Sequence, residues 1–490
     1  MVLKNCKLLT TALLLAIMVG ISVPYIIKLV QIETNLLAPI YLIVLLGIIL
    51  LSVYLSVKQL GEFDVFSPFI IPNFLFLVIY ICKPIYVLVT GEIGVGTFNV
   101  HLLTDNELQV FDNALLYIII GVCIYNTTLF YLLNIKTKNL LEINKKKLRT
   151  NFEKIVKIKW IRVIAIISVI FSFVIIMTLI LKAGGLNNYL DNLALRNIYL
   201  RDAGYLLILA NLCKLTLFIY TVRIIFFRNS RIDITIWLVL LLSTITTLVL
   251  TGGRSSILYS ILILIIIKHY FNKKIKSRNV LILSLFLFFF IIIVYRIVLR
   301  DKFFASNNNL GFWDILHNSL SDFPRYFFGG YDTVQFDALI TLLSEKGTYD
   351  FLLGKTILAA IMSPIPRDLY PDKGYGAMTY FTEQFFPQFY YPNHVEINIS
   401  FLGEMYLNFG LLGIIIGFFL LSVILGVLYR LLLTKGNGLI AIIYAITIIR
   451  IVSLLRGDLF NFYIYYMQDI IPLLFIVIVL RLSINKSLAK

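Results

Sequence analysis

Residues 364–404 read PIPRDLYPDKGYGAMTYFTEQFFPQFYYPNHVEINISFLGE and stand immediately before a long apolar run. This stretch is too polar and too rich in proline to cross a membrane, whereas most of the surrounding chain is apolar. Residues 379–391 alone contain seven aromatic side chains. The ionisable residues around them are Arg367, Asp368, Asp372, Lys373, Glu383, His394, Glu396 and Glu404. Aromatic faces with interspersed charges suit a polar ligand that has apolar faces, which describes a sugar.

The composition of the whole chain indicates an integral membrane protein. Its 490 residues are 60% hydrophobic and 14% charged, whereas soluble proteins are about 45–50% apolar and about 25% charged. Runs of roughly 20 apolar residues recur, each long enough for a helix to cross the hydrocarbon core. Segments of alternating polarity are lacking, so helices are favoured over a barrel. The predicted fold is an all-α polytopic bundle.

The hydropathy pattern predicts about twelve transmembrane helices and one large loop. The predicted spans are 8–30, 36–57, 68–90, 112–133, 160–182, 205–224, 234–250, 255–270, 279–299, 401–428, 438–455 and 465–482. We expect a single integral membrane domain over 1–490, with residues 301–400 as the loop between spans 9 and 10. Within that loop, residues 351–364 are apolar but too short to span, which favours an interfacial or re-entrant helix.

The distribution of charge predicts the orientation. Loop 135–159 carries nine Lys or Arg against two Glu, whereas loop 91–111 has no Lys or Arg. By the positive-inside rule, both termini are cytoplasmic, and the loops 183–204, 251–254, 301–400 and 456–464 are extracytoplasmic. The same rule explains the net charge of +17 without nucleic acid as a partner. Loop 301–400 holds 11 of the 26 acidic residues, so we expect the chemistry to face away from the cytoplasm.

Five arginines fall in four patches on the face predicted to be outside. They are Arg196 and Arg201 in one loop, Arg254 in TGGRSS, Arg325 in DFPRYFFGGYD and Arg367 in PIPRDLYPDK. Arginine forks bind phosphate oxygens bidentately, and a glycine turn that opens a helix is a ready anion site. A pyrophosphate clamp is therefore one interpretation. The other is that each arginine lies beside lipid headgroups.

Three residues near the end of the quoted stretch are candidates for a catalytic base. They are His394, Glu396 and Glu404. A histidine near neutrality, or a carboxylate beside it, could take the proton from an attacking sugar hydroxyl. His394 could equally be a surface histidine in a long loop. The sequence has no zinc-type cluster and no Walker A glycine loop, so no metal and no cofactor are expected.

Charges also occur within or at the ends of spans, where they are usually functional or paired. Lys214 is near the middle of span 6, Arg450, Arg456 and Asp458 are near the outer end of span 11, and Asp469 begins span 12. For Lys214 the sequence leaves two interpretations open, a structural ion pair or a contact with a lipid phosphate.

In their order along the chain, four motifs resemble the bacterial O-antigen or oligosaccharide repeat-unit polymerases of the Wzy type. These are Gly184 and Gly185 followed by Arg196 and Arg201, then TGGRSS, then PIPRDLYPDK, then SFLGEMYLNFGLLGIIIG. The last two, about forty residues apart, are the most specific. The resemblance covers residues 184–417, and the first four spans match by hydropathy only.

The resemblance implies a fold related to the GT-C class of glycosyltransferases. It implies a metal-independent polymerase that joins undecaprenyl-pyrophosphate-linked oligosaccharides at the outer face of the cytoplasmic membrane. The candidate binding residues are then the five arginines with Asp368, Lys373, Tyr380, Tyr390 and Tyr391, and His394 or Glu404 is the candidate base. A chain-length regulator and a flippase are candidate partners. An O-antigen ligase and a non-enzymatic lipid-linked oligosaccharide flippase are the alternative functions.

Overall fold

The computed structural model describes most of the chain between residues 37 and 488. The described residues are 37–61, 63–94, 100–133, 152–153, 156–157, 160–191, 204–227, 230–251, 254–272, 274–276, 278–279, 282, 328, 330, 333–365 and 369–488. The chain forms two compact units. The first comprises 1–137, 276–426 and 452–461, and the second comprises 138–275, 427–451 and 462–490. That the chain is a single membrane domain with a loop at 301–400 stays a prediction.

The prediction of an all-α polytopic membrane protein is confirmed. Among the described residues, nine helical segments are long and apolar enough to cross a membrane. They are Ala38–Leu60, Ile71–Thr90, Asp105–Leu132, Trp160–Lys182, Leu206–Phe226, Arg231–Leu250, Ser400–Lys435, Gly438–Arg456 and Leu459–Leu482. The predicted span 255–270 forms the shorter apolar helix Ser255–Phe271. Predicted span 8–30 lies outside the described residues, as does nearly all of 279–299, so the count of twelve stays a prediction.

The first unit contains several helices and one small sheet. Its elements are the helices Ala38–Leu60, Ile71–Leu77, Lys83–Thr90, Asp105–Leu132, Gln335–Ser344, Lys355–Ile361, Ala377–Phe385 and Pro387–Asn393, the π-helix Val78–Cys82, the strands Glu92–Gly94 and Val100–Leu102, and the beginning of Ser400–Lys435. The two strands pair antiparallel, with Ile93 opposite His101. A capping box starts the helix Asp105–Leu132, because the Thr104 side chain bonds the backbone of Glu107 and the Glu107 side chain bonds the backbone of Thr104.

The second unit is wholly helical in its described part. Its helices are Trp160–Lys182, Leu186–Asp191, Gly204–Ala210, Leu212–Phe226, Arg231–Leu250 and Arg254–Phe271, with the end of Ser400–Lys435 and most of Gly438–Arg456 and Leu459–Leu488. Ser230 caps Arg231–Leu250, accepting a hydrogen bond from the backbone N of Asp233 at 3.2 Å. Isoleucines and leucines cover the exposed faces of these helices, as expected for surfaces that meet lipid.

Contacts in the first unit join segment ends that the predicted alternation of spans places on the same side. The backbone N of Leu37 donates to Asp112 Oδ2 at 3.1 Å, and both residues lie at predicted outer ends. Gln59 Nε2 donates to the carbonyl of Phe130 at 3.1 Å, and both lie at predicted inner ends. These pairs are consistent with the alternation and leave the absolute orientation a prediction.

The helix Ser400–Lys435 reverses direction near its start. Its backbone is non-helical at Phe409 and at Gly410, where φ is +60° and ψ is −143°. After this break the chain folds back on itself, and the ring centroids of Phe401 and Phe418 lie 5.6 Å apart. In an unbroken helix, these residues would be about 25 Å apart at 1.5 Å per residue. Residues 400–408 therefore form a short arm, and residues 411–435 form the part that can cross a membrane.

Candidate functional site

The glycines of the motif SFLGEMYLNFGLLGIIIG allow the short arm to pack against the longer one. A β-carbon at Gly413 would lie 2.0 Å from the carbonyl oxygen of Met405, and one at Gly417 would lie 2.5 Å from Met405 Cγ. No larger side chain fits at either position without moving the arm. The motif thus encodes a close helix contact, and this contact fixes where Glu404 lies.

The segment 351–354 closes the end of the short arm. The last carbonyls of a helix have no partner within it. Here the backbone N of Leu352 donates to Leu407 O and the backbone N of Leu353 donates to Asn408 O, each at 3.1 Å. The backbone N of Gly354 adds a bond to Asn408 Oδ1 at 2.9 Å. Residues of the predicted loop 301–400 are therefore attached directly to the motif that follows it.

Glu404 lies on the short arm, and its side chain is completely buried. Thr356 Oγ1 donates to one carboxylate oxygen at 2.8 Å, and the backbone N of Leu459 donates to the other at 2.6 Å. Asn408 Nδ2 donates in turn to Thr356 Oγ1 at 2.7 Å. Both carboxylate oxygens of Glu404 are therefore engaged within the protein, where they connect the arm to the start of the helix Leu459–Leu488.

Asp458 occupies the point where two helices begin. Its Oδ1 accepts from the backbone N of Asn461 at 2.9 Å, and its Oδ2 accepts from the backbone N of Met378 at 3.1 Å. The first N–H groups of a helix lack partners and favour a nearby negative charge. Burial raises the pKa of Asp458, and these N–H donors oppose that effect.

Glu396 is the third carboxylate in this region. Thr379 Oγ1 donates to its Oε1 at 2.5 Å. The residue as a whole is exposed, and its carboxyl group also has a hydrogen bond with the Asn461 side chain. Desolvation of the carboxyl group raises the pKa of Glu396, and the charge of Asp458 acts in the same direction. We call Glu396, Glu404 and Asp458 the carboxylate cluster.

Lys373, predicted to bind substrate, is buried and bonded within the chain. Its ammonium donates to the carbonyls of Ser363 at 2.9 Å and Ile365 at 2.8 Å. These bonds hold the proline-rich turn, whose proline residues remove backbone donors. A direct contact between Lys373 and substrate stays a prediction.

The aromatic run contains two buried phenylalanines, and its three tyrosines are half-buried or exposed. Phe381 and Phe386 are buried and pack on each other with ring centroids 5.7 Å apart. Tyr391 is 63% exposed, and its hydroxyl donates to Glu383 Oε1 at 2.9 Å. Tyr390 is half-buried and meets the rings of Tyr391 and His394 edge to face. Tyr380, also half-buried, has a pKa raised by burial.

His394 is exposed and has a left-handed backbone, with φ at +49°. Its backbone N donates to the carbonyl of Tyr390 at 2.7 Å, which ends the helix Pro387–Asn393. The left-handed conformation is a common way to end a helix. Because the residue is exposed, its side chain is accessible to a ligand.

Most of the predicted arginine clamp lies outside the described residues. This applies to Arg196, Arg201, Arg325 and Arg367, and also to Asp368. The helix Arg254–Phe271 begins at Arg254, as the TGGRSS motif predicts, but the position of that side chain is outside the described part. The described residues contain no group of three or more His, Cys, Asp or Glu side chains placed to hold a metal ion.

Four residues of the site were not nominated from the sequence: Thr356, Asn408, Asp458 and Asn461. Three of them carry a weak signal in the sequence. Asp458 and Asn461 stand at a helix start, where such residues are typical of capping. Asn408 stands in an apolar run, where an asparagine is typical of a buried hydrogen bond. Thr356 carries none, since its role depends on a partner 48 positions away.

A model of the family described as O-antigen polysaccharide polymerase Wzy matches residues 8–487, which is nearly the whole chain. The chain belongs to this family. No curated protein and no solved structure gives a significant match. The resemblance inferred from the motifs is thereby confirmed. As a Wzy polymerase, the protein joins oligosaccharide repeat units, acts on lipid-linked substrates and is a multi-pass membrane protein.

Proposed function

We propose that this Wzy polymerase transfers a growing glycan from undecaprenyl diphosphate to the next lipid-linked repeat unit at the outer face of the cytoplasmic membrane. A hydroxyl oxygen of the acceptor sugar attacks the anomeric carbon of the donor. The bond between that carbon and the diphosphate oxygen breaks, and undecaprenyl diphosphate leaves with the electron pair. The acceptor hydroxyl loses its proton to a base of the protein.

Glu396 is the proposed base. Of the three candidates, it alone combines an accessible position with a carboxyl group whose pKa is raised. A base works best when its pKa lies near the working pH, and burial moves the pKa of Glu396 in that direction. The single observation that supports this choice is the bond from Thr379 Oγ1 to Oε1, because it orients the carboxylate of an exposed residue.

Glu404 is proposed as a positioning residue. A base must contact the acceptor hydroxyl, whereas Glu404 is completely buried with a donor on each oxygen. Its bonds hold the short arm to Thr356 and to Leu459. Asp458 precedes Leu459 in the chain and accepts from the backbone N of Met378. The next residue, Thr379, donates to Glu396, so these contacts link Glu404 to the proposed base.

The arginines Arg196, Arg201, Arg254, Arg325 and Arg367, with Asp368 and Lys373, are proposed to hold the diphosphate and the adjoining glycan. Tyr380, Tyr390 and Tyr391 are proposed to stack on the acceptor sugar. The half-buried or exposed state of these tyrosines supports this assignment, since a stacking ring must be rigid on one side and open on the other. A diphosphate is a good leaving group, so the proposed chemistry needs neither a general acid nor a metal.

The proposed orientation places both termini in the cytoplasm and the carboxylate cluster outside. In the second unit, the Tyr189 hydroxyl donates to Leu250 O at 2.8 Å, which joins two segments expected on the outer side. In the first unit, the Met378 bond to Asp458 joins the predicted outer segments 301–400 and 456–464. Twelve spans, a relation to the GT-C class, a flippase and a chain-length regulator belong to the same proposal.

The test is complementation of a strain that lacks the protein, with the glycan ladder as the readout. Glu396→Gln keeps the size of the side chain and should leave single repeats in place of long chains, at an equal protein level. Glu345→Gln is the matched control, because Glu345 is an exposed acid in the same predicted loop. A normal ladder with Glu396→Gln and a lost ladder with His394→Gln would assign the base to His394 instead.

A further inference from the structure

The second unit contains a cluster of three charged residues inside its helices. Lys214 Nζ lies 2.5 Å from Asp469 Oδ1, and Arg450 Nη2 lies 2.7 Å from Asp469 Oδ2. Arg450 Nε also donates to Oδ2, at 2.8 Å. All three residues are at most 5% exposed. We call them the buried ion cluster.

The charges of the buried ion cluster do not balance. Two cations share one carboxylate, and in the described part of the chain the ion pairs of Lys214 and Arg450 both end on Asp469. One positive charge is therefore left over. An uncompensated charge in a low-dielectric interior is expensive, and such a charge within a span is by default a functional site.

In the described part of the chain, the buried ion cluster also has a donor, Nη1 of Arg450, that takes no part in its ion pairs. The bonds from Arg450 to Asp469 use Nε and Nη2, so the Nη1 side of the fork points away from the carboxylate. The guanidinium lies 5.8 Å from the ring centroid of Tyr259 and 5.5 Å from that of Tyr465. Tyr465 is itself 44% exposed, so the guanidinium contacts a ring that reaches the surface of the unit.

A second cluster that also has two cations on one aspartate serves as a comparison. Arg162 and Arg223 both pair with Asp233, at 2.9 Å and 3.3 Å. Here the side chain of Arg162 is 34% exposed, so solvent or headgroups can balance the extra charge. In the buried ion cluster, none of the three side chains is exposed enough for solvent or headgroups to balance its extra charge.

The level of the buried ion cluster suits a ligand that enters from the outer leaflet. Its members lie about 9 to 15 Å along their helices from the ends at Leu206, Arg456 and Leu459, which are predicted to be outer ends. Tyr259 is in the same helix as Arg254, about 7.5 Å further along. The buried ion cluster is therefore near the level where Arg254 would hold a phosphate.

We propose that Lys214 and Arg450 form an intramembrane binding site for a phosphate-bearing anion, with Asp469 orienting both cations. A phosphate oxygen would balance the extra charge and accept from Nη1 of Arg450 and from Lys214. That the natural ligand is the diphosphate of the lipid carrier rests on the proposed function. A membrane phospholipid offers the same chemistry.

The experiment measures thermal unfolding of the purified full-length protein in a detergent without phosphate groups. Undecaprenyl diphosphate should raise the Tm of the wild type, because a ligand that binds the folded state stabilises it. Lys214→Met leaves one cation and one anion, so its Tm without ligand should be unchanged or higher. Its response to undecaprenyl diphosphate should require at least about tenfold more ligand. Arg162→Gln is the control and should keep the full response.

Phosphatidylglycerol and inorganic diphosphate are the comparison ligands. A response to undecaprenyl diphosphate alone supports the site and assigns it to the carrier, whereas an equal response to phosphatidylglycerol supports the site and assigns it to the bilayer. The proposal is overturned by the absence of any response in the wild type, or by Lys214→Met lowering the Tm while keeping the full response. None of these Tm measurements requires catalytic turnover. Their outcome is therefore independent of the glycan ladder obtained with Glu396→Gln.

Discussion

Gly376 packs directly against the carboxylate of Asp458: a β-carbon at this glycine would lie 2.6 Å from Oδ2 and 2.8 Å from Cβ of Phe460. Both distances are shorter than the van der Waals contacts that a β-carbon makes in proteins. The helix Ala377–Phe385 can therefore donate to Asp458 only because the residue before it has no side chain. The carboxylate cluster depends on this contact, and the following predictions concern its parts.

Gly376→Ala should separate the helix Ala377–Phe385 from Asp458 and weaken the fold around Glu396. Overpacking of this kind costs about 1–3 kcal/mol, so we expect a lower Tm and a shorter glycan ladder. Gly47→Ala is the control, since a β-carbon there would meet nothing within 4 Å and alanine favours the helix. Equal effects of the two substitutions would contradict the role assigned to the contact.

The rate of polymerisation should fall on acidification through the titration of Glu396. Burial raises the pKa of this residue, so it takes up a proton at a higher pH than an ordinary glutamate, and the protonated form cannot act as a base. With purified enzyme and synthetic lipid-linked repeat units, the acid limb of the pH–rate profile should have its midpoint above the pKa of an ordinary glutamate. Glu396→Gln should reduce the rate by at least about a hundredfold and abolish that limb. A variant that keeps the wild-type limb would assign the titration to another group.

The stability of the first unit should increase as the pH falls from 7.5 to 5, because of Asp337. Its Oδ2 lies 2.7 Å from Lys83 Nζ, both side chains are 1% exposed, and burial raises the pKa of Asp337 to about 6 against the opposing effect of Lys83. The native state then binds a proton that the unfolded state does not, so protonation between these pH values favours folding by about 1.4 kcal/mol. The check is Tm against pH.

The matched comparison for Asp337 is the double variant Lys83→Met with Asp337→Leu, which has no titrating group at this position. Its Tm should change less between pH 7.5 and 5 than that of the wild type. Parallel Tm curves for the two proteins would show that Asp337 does not contribute.

Lys373→Met should lower the Tm, because the carbonyls of Ser363 and Ile365 lose their donor. Removing a buried partner costs about 1–3 kcal/mol. Lys355→Met is the control, since Lys355 is exposed at the start of a nearby helix. An unchanged Tm with a shortened glycan ladder would instead show that Lys373 binds substrate.

Hydropathy was sufficient to locate most of the helices. The span predicted at 160–182 is the helix Trp160–Lys182, because the apolar run and its charged flanks have the same boundaries as the helix. The span predicted at 401–428 is only partly correct. Hydropathy does not distinguish a continuous helix from two apolar helices joined by a reversal, and Phe409 and Gly410 are themselves compatible with either.

The site was harder to predict, since its residues meet through tertiary contacts. The charge of Lys373 predicts a contact with substrate, whereas in the structure its ammonium donates to two carbonyls of its own loop. The sequence shows Asp458 only as a charge at the end of a span, and its importance arises from Met378, 80 positions away. No local pattern records such a pairing. The family, by contrast, was recognisable because its motifs keep their order along the chain.

The reversal at Phe409–Gly410 has a consequence for the length of the bilayer crossing. Residues 400–408 count as apolar in any sliding window, yet they add nothing to the distance covered, because Phe401 returns to the level of Phe418. The crossing is made by residues 411–435, about 37 Å at 1.5 Å per residue. A reporter tag inserted between Phe409 and Gly410 should therefore report the predicted outer compartment, whereas an unbroken helix from Ser400 would place that position about 15 Å into the bilayer.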